Sequence, residues 1–215
     1  MTVKAKICGL GSEAAVAAAA AGGASFVGFV FYPPSPRAIA AARAAELGRA
    51  VPAGIAKVGL FVDAADAAIA DVLAAAPLDM LQLSGDETPR RVKDIRRRFG
   101  LPVMKALRLA SAADVAAADA YLPVADWLLF DAKPPPEIAG ALPGGNAISF
   151  DWSLLAGRSW SRPWMLAGGL TAGNLAAAVA ATHAAAVDVS SGVEDSPGRK
   201  NPEKIAAFLE LAASL

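Results

Sequence analysis

Cysteine and histidine are almost absent from this sequence, which contains one of each, Cys8 and His183. A single cysteine cannot form an internal disulfide, and a single imidazole argues against the histidine-based sites that often hold zinc. Carboxylates alone could still bind a hard cation. From the residue types present we expect no metal site.

An excess of one charge is also lacking. The 20 basic and 20 acidic residues cancel, and no long block of like charges occurs. Proteins that bind nucleic acids or membrane surfaces carry a concentrated basic footprint, so the sequence argues against both kinds of partner. A small neutral or anionic ligand is the expected partner.

Hydrophobic runs long enough to cross a membrane are missing as well. Residues 14–31 carry no charge over eighteen positions, but Gly22-Gly23 divides this run into a helical half and a β-prone half. Lys6 and Glu13 interrupt the apolar stretch that a signal peptide would need. We therefore expect a cytoplasmic protein.

A short apolar run, then a polar or glycine turn, then an alanine-rich helical segment recurs along the chain. Most of the runs are continuously apolar, which is typical of parallel strands covered on both faces. The eight predicted strands span residues 5–8, 26–31, 57–62, 80–83, 103–107, 127–131, 164–167 and 186–190. A helix is predicted after each of them.

Eight such units in 215 residues predict an α/β fold with one domain, residues 1–215, built as a closed (β/α)8 TIM barrel. A doubly wound open sheet is the alternative. That fold usually has fewer strands and a glycine-rich turn after the first one. Here a cysteine follows the first strand, and glycines cluster after the seventh and eighth.

The segment from Ala132 to Arg162 interrupts this rhythm with Pro134–Pro136, Gly140 and Pro143–Gly145. Long irregular segments inside compact domains often form lids or contact ligands. We expect such a role here, and a tolerated insertion is the alternative.

In a TIM barrel the active site lies at the carboxyl ends of the strands, which places Cys8 and Asp131 nearly opposite each other at the barrel mouth. A thiol becomes a usable base once it is slightly acidified, and a carboxyl group with a raised pKa becomes a usable acid. The apolar residues 127–130 could raise the pKa of Asp131 by desolvation. Alternatively, Cys8 is a small buried hydrophobic residue and Asp131 caps the next turn.

Two small-residue turns follow the last two strands. Because glycine lets backbone N–H groups approach a phosphate closely, adjacent turns of this kind predict a phosphate site. Its candidate residues are Gly168, Gly169, Ser190, Ser191 and Gly192, with a short helix starting near Gly192.

Three further cationic side chains are candidates at the mouth. Arg37, in the turn Ser35-Pro36-Arg37, could hold a carboxylate bidentately or lie along the rim. Lys105 and Lys133 could form a Schiff base of the aldolase kind, although lysines at strand ends are more often rim charges or phosphate contacts. His183 precedes the eighth strand on the helical side, where we expect a structural role.

Six motifs, in this order and almost from end to end, resemble the phosphoribosylanthranilate isomerase family: KICGL, GFVFYPPSPR, VGLFVD, LQLSGDE, LAGGLTAGN and DVSSGVE. The resemblance implies a TIM barrel that acts in tryptophan biosynthesis. It also implies a cofactor-free Amadori rearrangement of a small phosphorylated substrate, N-(5'-phosphoribosyl)anthranilate. We expect a monomer or a weak homodimer.

The resemblance assigns roles to individual residues. It makes Cys8 the general base and Asp131 the general acid, and it places Arg37 on the anthranilate carboxylate. Asp188 would lie close to the substrate. Backbone groups of Gly168, Gly169, Ser191 and Gly192 would hold the phosphate.

Two positions depart from the family pattern. Ser84 stands where the family usually has histidine in QLHG, so no imidazole role carries over. Ala147 ends a GGTG-like loop and could alter lid closure if that position requires a positive φ. These departures keep open a barrel that binds a phosphorylated metabolite without turning it over.

Overall fold

The computed structural model describes residues 2–135, 142 and 144–215. Eight parallel strands form a closed barrel in chain order. They are β1 Lys4–Cys8, β2 Phe26–Val30, β3 Ala56–Phe61, β4 Met80–Leu83, β5 Val103–Leu109, β6 Trp127–Ala132, β7 Trp164–Leu166 and β8 Ala186–Val189. The predicted TIM barrel is confirmed, and the open sheet is wrong because β8 pairs with β1.

The helices pack outside the barrel. They are α1 Glu13–Ala21, α2 Ala41–Arg49, α3 Asp66–Ala75, α4 Pro89–Phe99, α5 Ala112–Ala117, α6 Leu175–Thr182 and α7 Pro202–Ser214. Ser12, Thr88 and Asn201 cap α1, α4 and α7 with side-chain oxygens that accept backbone N–H groups. Within the described ranges, no helix is long and apolar enough to cross a membrane.

The segment between β6 and β7 departs from the predicted rhythm in its described residues. Among the described residues between β6 and β7 only a short 3₁₀ helix occurs, Trp152–Leu155. Pro136, Gly140 and Pro143, which we expected to belong to a lid, lie outside the described residues.

An extra hairpin follows the last barrel strand. After β8 the chain forms a 3₁₀ turn, Ser191–Val193, where the sequence predicts a short helix near Gly192. The antiparallel strands β9 Glu194–Ser196 and β10 Arg199–Lys200 come next, and α7 follows them. The hairpin lies on the same side of the barrel as the strand ends.

Successive side chains of each strand point alternately to the two faces of the sheet, which produces two separate hydrophobic cores. Side chains of one parity pack inside the barrel, and those of the other parity pack beneath the helices. The interior cluster, here called the barrel floor, consists of Phe26, Val58, Met80, Met104, Leu129, Met165, Ala167 and Ala186. Burial of each large apolar side chain contributes about 1.5–3 kcal/mol. Polar residues of the same parity above this floor therefore face a cavity.

Candidate active site

A cavity opens above the barrel floor at the carboxyl ends of the strands. Five of the residues predicted for the site line it together, namely Cys8, Arg37, Asp131, Asp188 and Ser190. Apolar side chains of β2, β3 and β5, together with Gln82 of β4 and Ser84 just after it, line much of the remaining wall. The cavity thus has a charged side and a largely apolar side.

Cys8 shares the barrel interior with a buried ion pair. Lys6 and Asp188 are register partners on β1 and β8, and Lys6 Nζ lies 2.8 Å from Asp188 Oδ1. Gly28 stands opposite Cys8 on β2, where a Cβ atom would lie 3.0 Å from Cys8 Sγ and 3.2 Å from Lys6 Nζ. The missing side chain leaves room for the thiol and the ammonium group to meet.

Charge and burial act on the Cys8 thiol in opposite directions. Burial raises its pKa, the neighbouring Lys6 lowers it, and Asp188 raises it again, so that the pKa lies above its ordinary value. The slight acidification that would make the Cys8 thiol a better base is therefore absent from the unliganded protein. Burial disfavours the Lys6 ammonium, but Asp188 and Cys8 still hold its pKa above the usual range. Cys8 consequently has a permanent cation beside it.

Asp131 lies near the end of β6, where it is partly buried and lines both cavities. Burial raises its pKa to about 7, although Oδ1 accepts a hydrogen bond from the backbone N–H of Ala132 at 2.8 Å. The predicted desolvation effect is confirmed. A Cβ atom on Gly144 would lie 2.7 Å from Asp131 Oδ2, so the loop after β6 passes close over the acid. A pKa in this range lets the Asp131 carboxyl group donate a proton near neutral pH.

Arg37 lies against the cavity wall in a fixed orientation. Its Nε and Nη2 atoms each donate to Glu194 at 2.8 Å, and Nη2 also donates to the carbonyl of Gly145 at 3.1 Å. Because Glu194 already occupies both Nε and Nη2, these two atoms cannot bind a ligand carboxylate bidentately. Nη1 has no hydrogen-bond partner among the described residues and stays available for a ligand.

A second, polar cavity adjoins the first and shares Asp131, Gly145, Asp188 and Ser190 with it. The predicted phosphate residues Gly168, Gly169 and Ser191 line this second cavity. Gly168 and Gly169 have φ values of +90° and +62°, a backbone conformation that favours glycine.

Gly192 is the one predicted phosphate residue that lines neither cavity. A Cβ atom at this position would overlap the carbonyl oxygen of Leu170. The glycine is therefore required for packing between the turn after β8 and the turn after β7.

Neither candidate Schiff-base lysine lines the two cavities. Lys105 has the parity that points outward, since Met104 belongs to the barrel floor. Its Nζ atom donates to Glu87 Oε2 at 2.8 Å and to the carbonyl of Gly85 at 2.7 Å. Lys133 is exposed and pairs with Asp114 at 3.0 Å. The geometry disfavours the aldolase alternative.

Two other residues fit the expectations drawn from the sequence. His183 ends α6 with φ +54°, away from both cavities, as its structural interpretation predicts. Ala147 has φ +57°, so the position does adopt the left-handed conformation that was the condition for altered lid closure. An alanine in this conformation costs about 1–2 kcal/mol.

Two functional candidates escaped the sequence analysis. Glu194 and Lys200 are buried beside Arg37 and Cys8, and Lys200 Nζ lies 2.6 Å from Glu194 Oε1. Glu194 belongs to the motif DVSSGVE, which could have signalled a role. Nothing local distinguishes Lys200 from an ordinary surface lysine.

Comparison with known proteins identifies relatives of the whole chain. Residues 5–211 match the family model described as N-(5'-phosphoribosyl)anthranilate isomerase. Proteins of that name from Rhodospirillum centenum and Paramagnetospirillum magneticum are 59% and 58% identical. These alignments cover 100% of this chain and 100% of the first relative, and 99% and 98% for the second.

Solved structures agree with the sequence matches. The phosphoribosyl anthranilate isomerase of Thermotoga maritima has a TM-score of 0.88 and 34% identity, covering 99% of this chain and 100% of that one. A phosphoribosyl anthranilate isomerase in complex with reduced 1-(o-carboxyphenylamino)-1-deoxyribulose 5-phosphate has a TM-score of 0.84 and 32% identity, with the same coverage. The chain therefore belongs to the N-(5'-phosphoribosyl)anthranilate isomerase family, a family of isomerases of tryptophan biosynthesis.

Proposed function

We propose that this single-domain protein converts N-(5'-phosphoribosyl)anthranilate to 1-(2-carboxyphenylamino)-1-deoxyribulose 5-phosphate by a cofactor-free Amadori rearrangement. Cys8 is the general base and Asp131 the general acid. The observation that carries the proposal is that both residues line one cavity, which shares residues with the second, glycine-lined cavity. We predict that the protein is a monomer or a weak homodimer.

The two cavities accommodate the two ends of this substrate. The phosphate group would lie in the second cavity, near backbone N–H groups of Gly168, Gly169 and Ser191. The anthranilate ring would lie against the apolar wall of the first cavity, with its carboxylate at Arg37 Nη1. The ribose then spans the region of Asp131 and Asp188, which both cavities share.

Proton transfers can follow from this placement. Protonated Asp131 gives its proton to the ribose ring oxygen, and the C1'–O bond breaks to leave a protonated Schiff base. Cys8 thiolate removes the C2' proton, and the electrons of the C–H bond move toward the iminium nitrogen to form an enolamine. The enolamine gains a proton at C1' and loses the C2' hydroxyl proton, which yields the ketone.

Cys8 and Asp131 must react in the less populated of their two singly protonated forms. Cys8 must be ionised while Asp131 is protonated, yet the thiol pKa lies above that of the carboxyl group. Lys6 supports this form because its ammonium group faces the developing thiolate. The iminium draws electrons from C2', so only a small fraction of thiolate is needed.

A direct assay tests the proposal. Freshly prepared N-(5'-phosphoribosyl)anthranilate is expected to lose its anthranilate fluorescence when the protein is added, with first-order dependence on protein concentration. Treatment of the enzyme with borohydride in the presence of the keto product is expected to leave its mass unchanged, because neither Lys105 nor Lys133 lines the cavities. A covalent adduct would instead support the aldolase alternative.

The left-handed Ala147 is the observation that favours a second candidate, a barrel that binds the phosphorylated metabolite without turnover. If strain at Ala147 prevented the loop from closing, the substrate would bind but the fluorescence would not decay beyond the spontaneous rate. The same assay separates the two functions, since measurable turnover excludes a role limited to binding.

A further inference from the structure

The hairpin β9–β10 carries a buried carboxylate between two cations. Glu194 accepts from Nε and Nη2 of Arg37 at 2.8 Å each, and from Lys200 Nζ at 2.6 Å. Lys200 donates in turn to the carbonyl and hydroxyl of Ser190 at 3.0 and 3.2 Å. Ser190 Oγ donates to the carbonyl of Cys8 at 3.2 Å. The hairpin thus connects the cavity wall at Arg37 with the strand end that holds Cys8.

The hairpin is also seated directly on the turn that presents Arg37. Gly198, at the tip between β9 and β10, has φ +85°, and a Cβ atom there would overlap the carbonyl oxygen of Pro36. Close packing at Gly198 and the ion pair at Glu194 fix the hairpin and the Arg37 turn to each other at two separate points.

The charge of Glu194 is required for this arrangement. Burial alone would raise the pKa of Glu194, but hydrogen bonding from Arg37 and attraction by Lys200 hold it below its ordinary value. Without the carboxylate, the guanidinium of Arg37 and the ammonium of Lys200 would be two buried cations with no counter-charge between them. Such an arrangement is strongly unfavourable.

We propose that Glu194 is a positioning residue that determines specificity for a ligand carboxylate. It occupies Nε and Nη2 of Arg37 and fixes the plane of the guanidinium, so that Nη1 alone faces the ligand. This inference rests on the proposed function, in which Arg37 binds the anthranilate carboxylate. A freely rotating Arg37 would bind the carboxylate more weakly because the ligand would have to order the side chain.

The variant Glu194→Gln tests the proposal because it keeps the shape of the side chain and removes its charge. Two probes that differ only in the carboxylate are compared. One is reduced 1-(2-carboxyphenylamino)-1-deoxyribulose 5-phosphate, and the other is the same compound without the carboxylate. Calorimetric titration gives the Kd of each probe for the wild-type protein and for the variant.

We expect the wild-type protein to prefer the carboxylated probe and Glu194→Gln to lose about 10- to 100-fold of that preference, while the Kd of the decarboxylated probe stays unchanged. KM for the substrate should rise and kcat should stay near the wild-type value. Asp195→Asn is the matched control, because Asp195 is an exposed carboxylate on the same strand. It should leave both affinities unchanged.

The possible outcomes distinguish a failure of this inference from a failure of the proposed function. A wild-type protein that binds both probes equally would contradict the role of Arg37 and hence the proposed function. A wild-type protein that discriminates while Glu194→Gln discriminates equally well would overturn the inference alone. Equal weakening of both probes would also overturn it, since a merely structural role predicts that result.

A second variant keeps the test informative if Glu194→Gln does not fold. Glu194→Asp retains the charge but shortens the side chain, so the ion pair with Lys200 survives while the grip on Arg37 loosens. It should fold and lose part of the preference for the carboxylated probe. Full wild-type preference in Glu194→Asp would contradict the positioning role.

Discussion

Replacing Cys8 by serine is expected to lower kcat by about 10²- to 10⁴-fold, the usual contribution of a positioned general base. Serine fits the space that Gly28 leaves beside Cys8 and keeps a hydroxyl next to Lys6. Its pKa is far too high for the residue to ionise at this site. Steady-state turnover followed by the loss of anthranilate fluorescence measures the effect.

The loss should be confined to the chemical step. Affinity for the reduced product analogue and the midpoint of thermal unfolding should stay close to wild-type values, because the substitution removes no ion pair and creates little cavity volume. Cys8→Ala is the matched control, since it removes the thiol without adding a hydroxyl, and it should match the serine variant. Near-normal turnover of Cys8→Ser would contradict the assignment of Cys8 as the general base.

Asp131→Asn should be similarly inactive, with kcat lower by about 10²- to 10⁴-fold. The amide keeps the shape of the carboxyl group and can still accept the N–H of Ala132. It has no acidic proton for the ribose ring oxygen, so the ring opens without assistance. Steady-state kinetics with freshly prepared substrate measure this effect.

A surface carboxylate provides the control for this substitution. Asp119 has a side chain that is 58% exposed, pairs with Arg158, and lies outside both cavities. Asp119→Asn should therefore retain wild-type kcat. If Asp131→Asn retained it as well, another group would have to supply the proton.

The barrel could be predicted from sequence because its signal is local and repeated. Each strand is a short apolar run, and α1, α4, α5 and α7 each begin after a residue whose side chain caps the helix. An error at one boundary therefore does not affect the next unit. After β6 the local signal is weaker, because prolines and glycines interrupt the apolar and helical patterns. Composition alone does not specify the 3₁₀ helix Trp152–Leu155 that the described residues form there.

Alternation could have corrected one assignment. Met104 and Ala106 belong with the barrel interior, so Lys105 between them has to point toward the helices. Its contact with Glu87 is the consequence. Applying the two-residue period to every polar residue of a strand would have removed Lys105 from the candidates before the structure was known.

The partners of Arg37 and Cys8 could not be deduced in this way. Glu194 lies 157 positions from Arg37 in sequence, and only the closed barrel brings the two together. The pKa of Asp131 was predictable in direction because its cause, the preceding apolar strand, is local. The pKa of Cys8 was not, since it depends on how burial, Lys6 and Asp188 balance in three dimensions.

In the proposed mechanism, ionised Cys8 and protonated Asp131 act together. Below pH 7 both groups are protonated, and raising the pH increases the thiolate. Between the two pKa values each further gain in thiolate is offset by the loss of protonated Asp131. Above the thiol pKa only the loss of the acid continues, so the rate falls.

The pH dependence of kcat/KM, measured on the wild type and on Asp131→Asn, tests this claim most directly, since it reports the pKa values of the free enzyme. We predict that the wild-type profile rises to about pH 7 and then stays level up to the thiol pKa. The variant, which has no acid to lose, should continue to rise through that interval. A wild-type profile without a break near pH 7, or the same break in Asp131→Asn, would contradict the account.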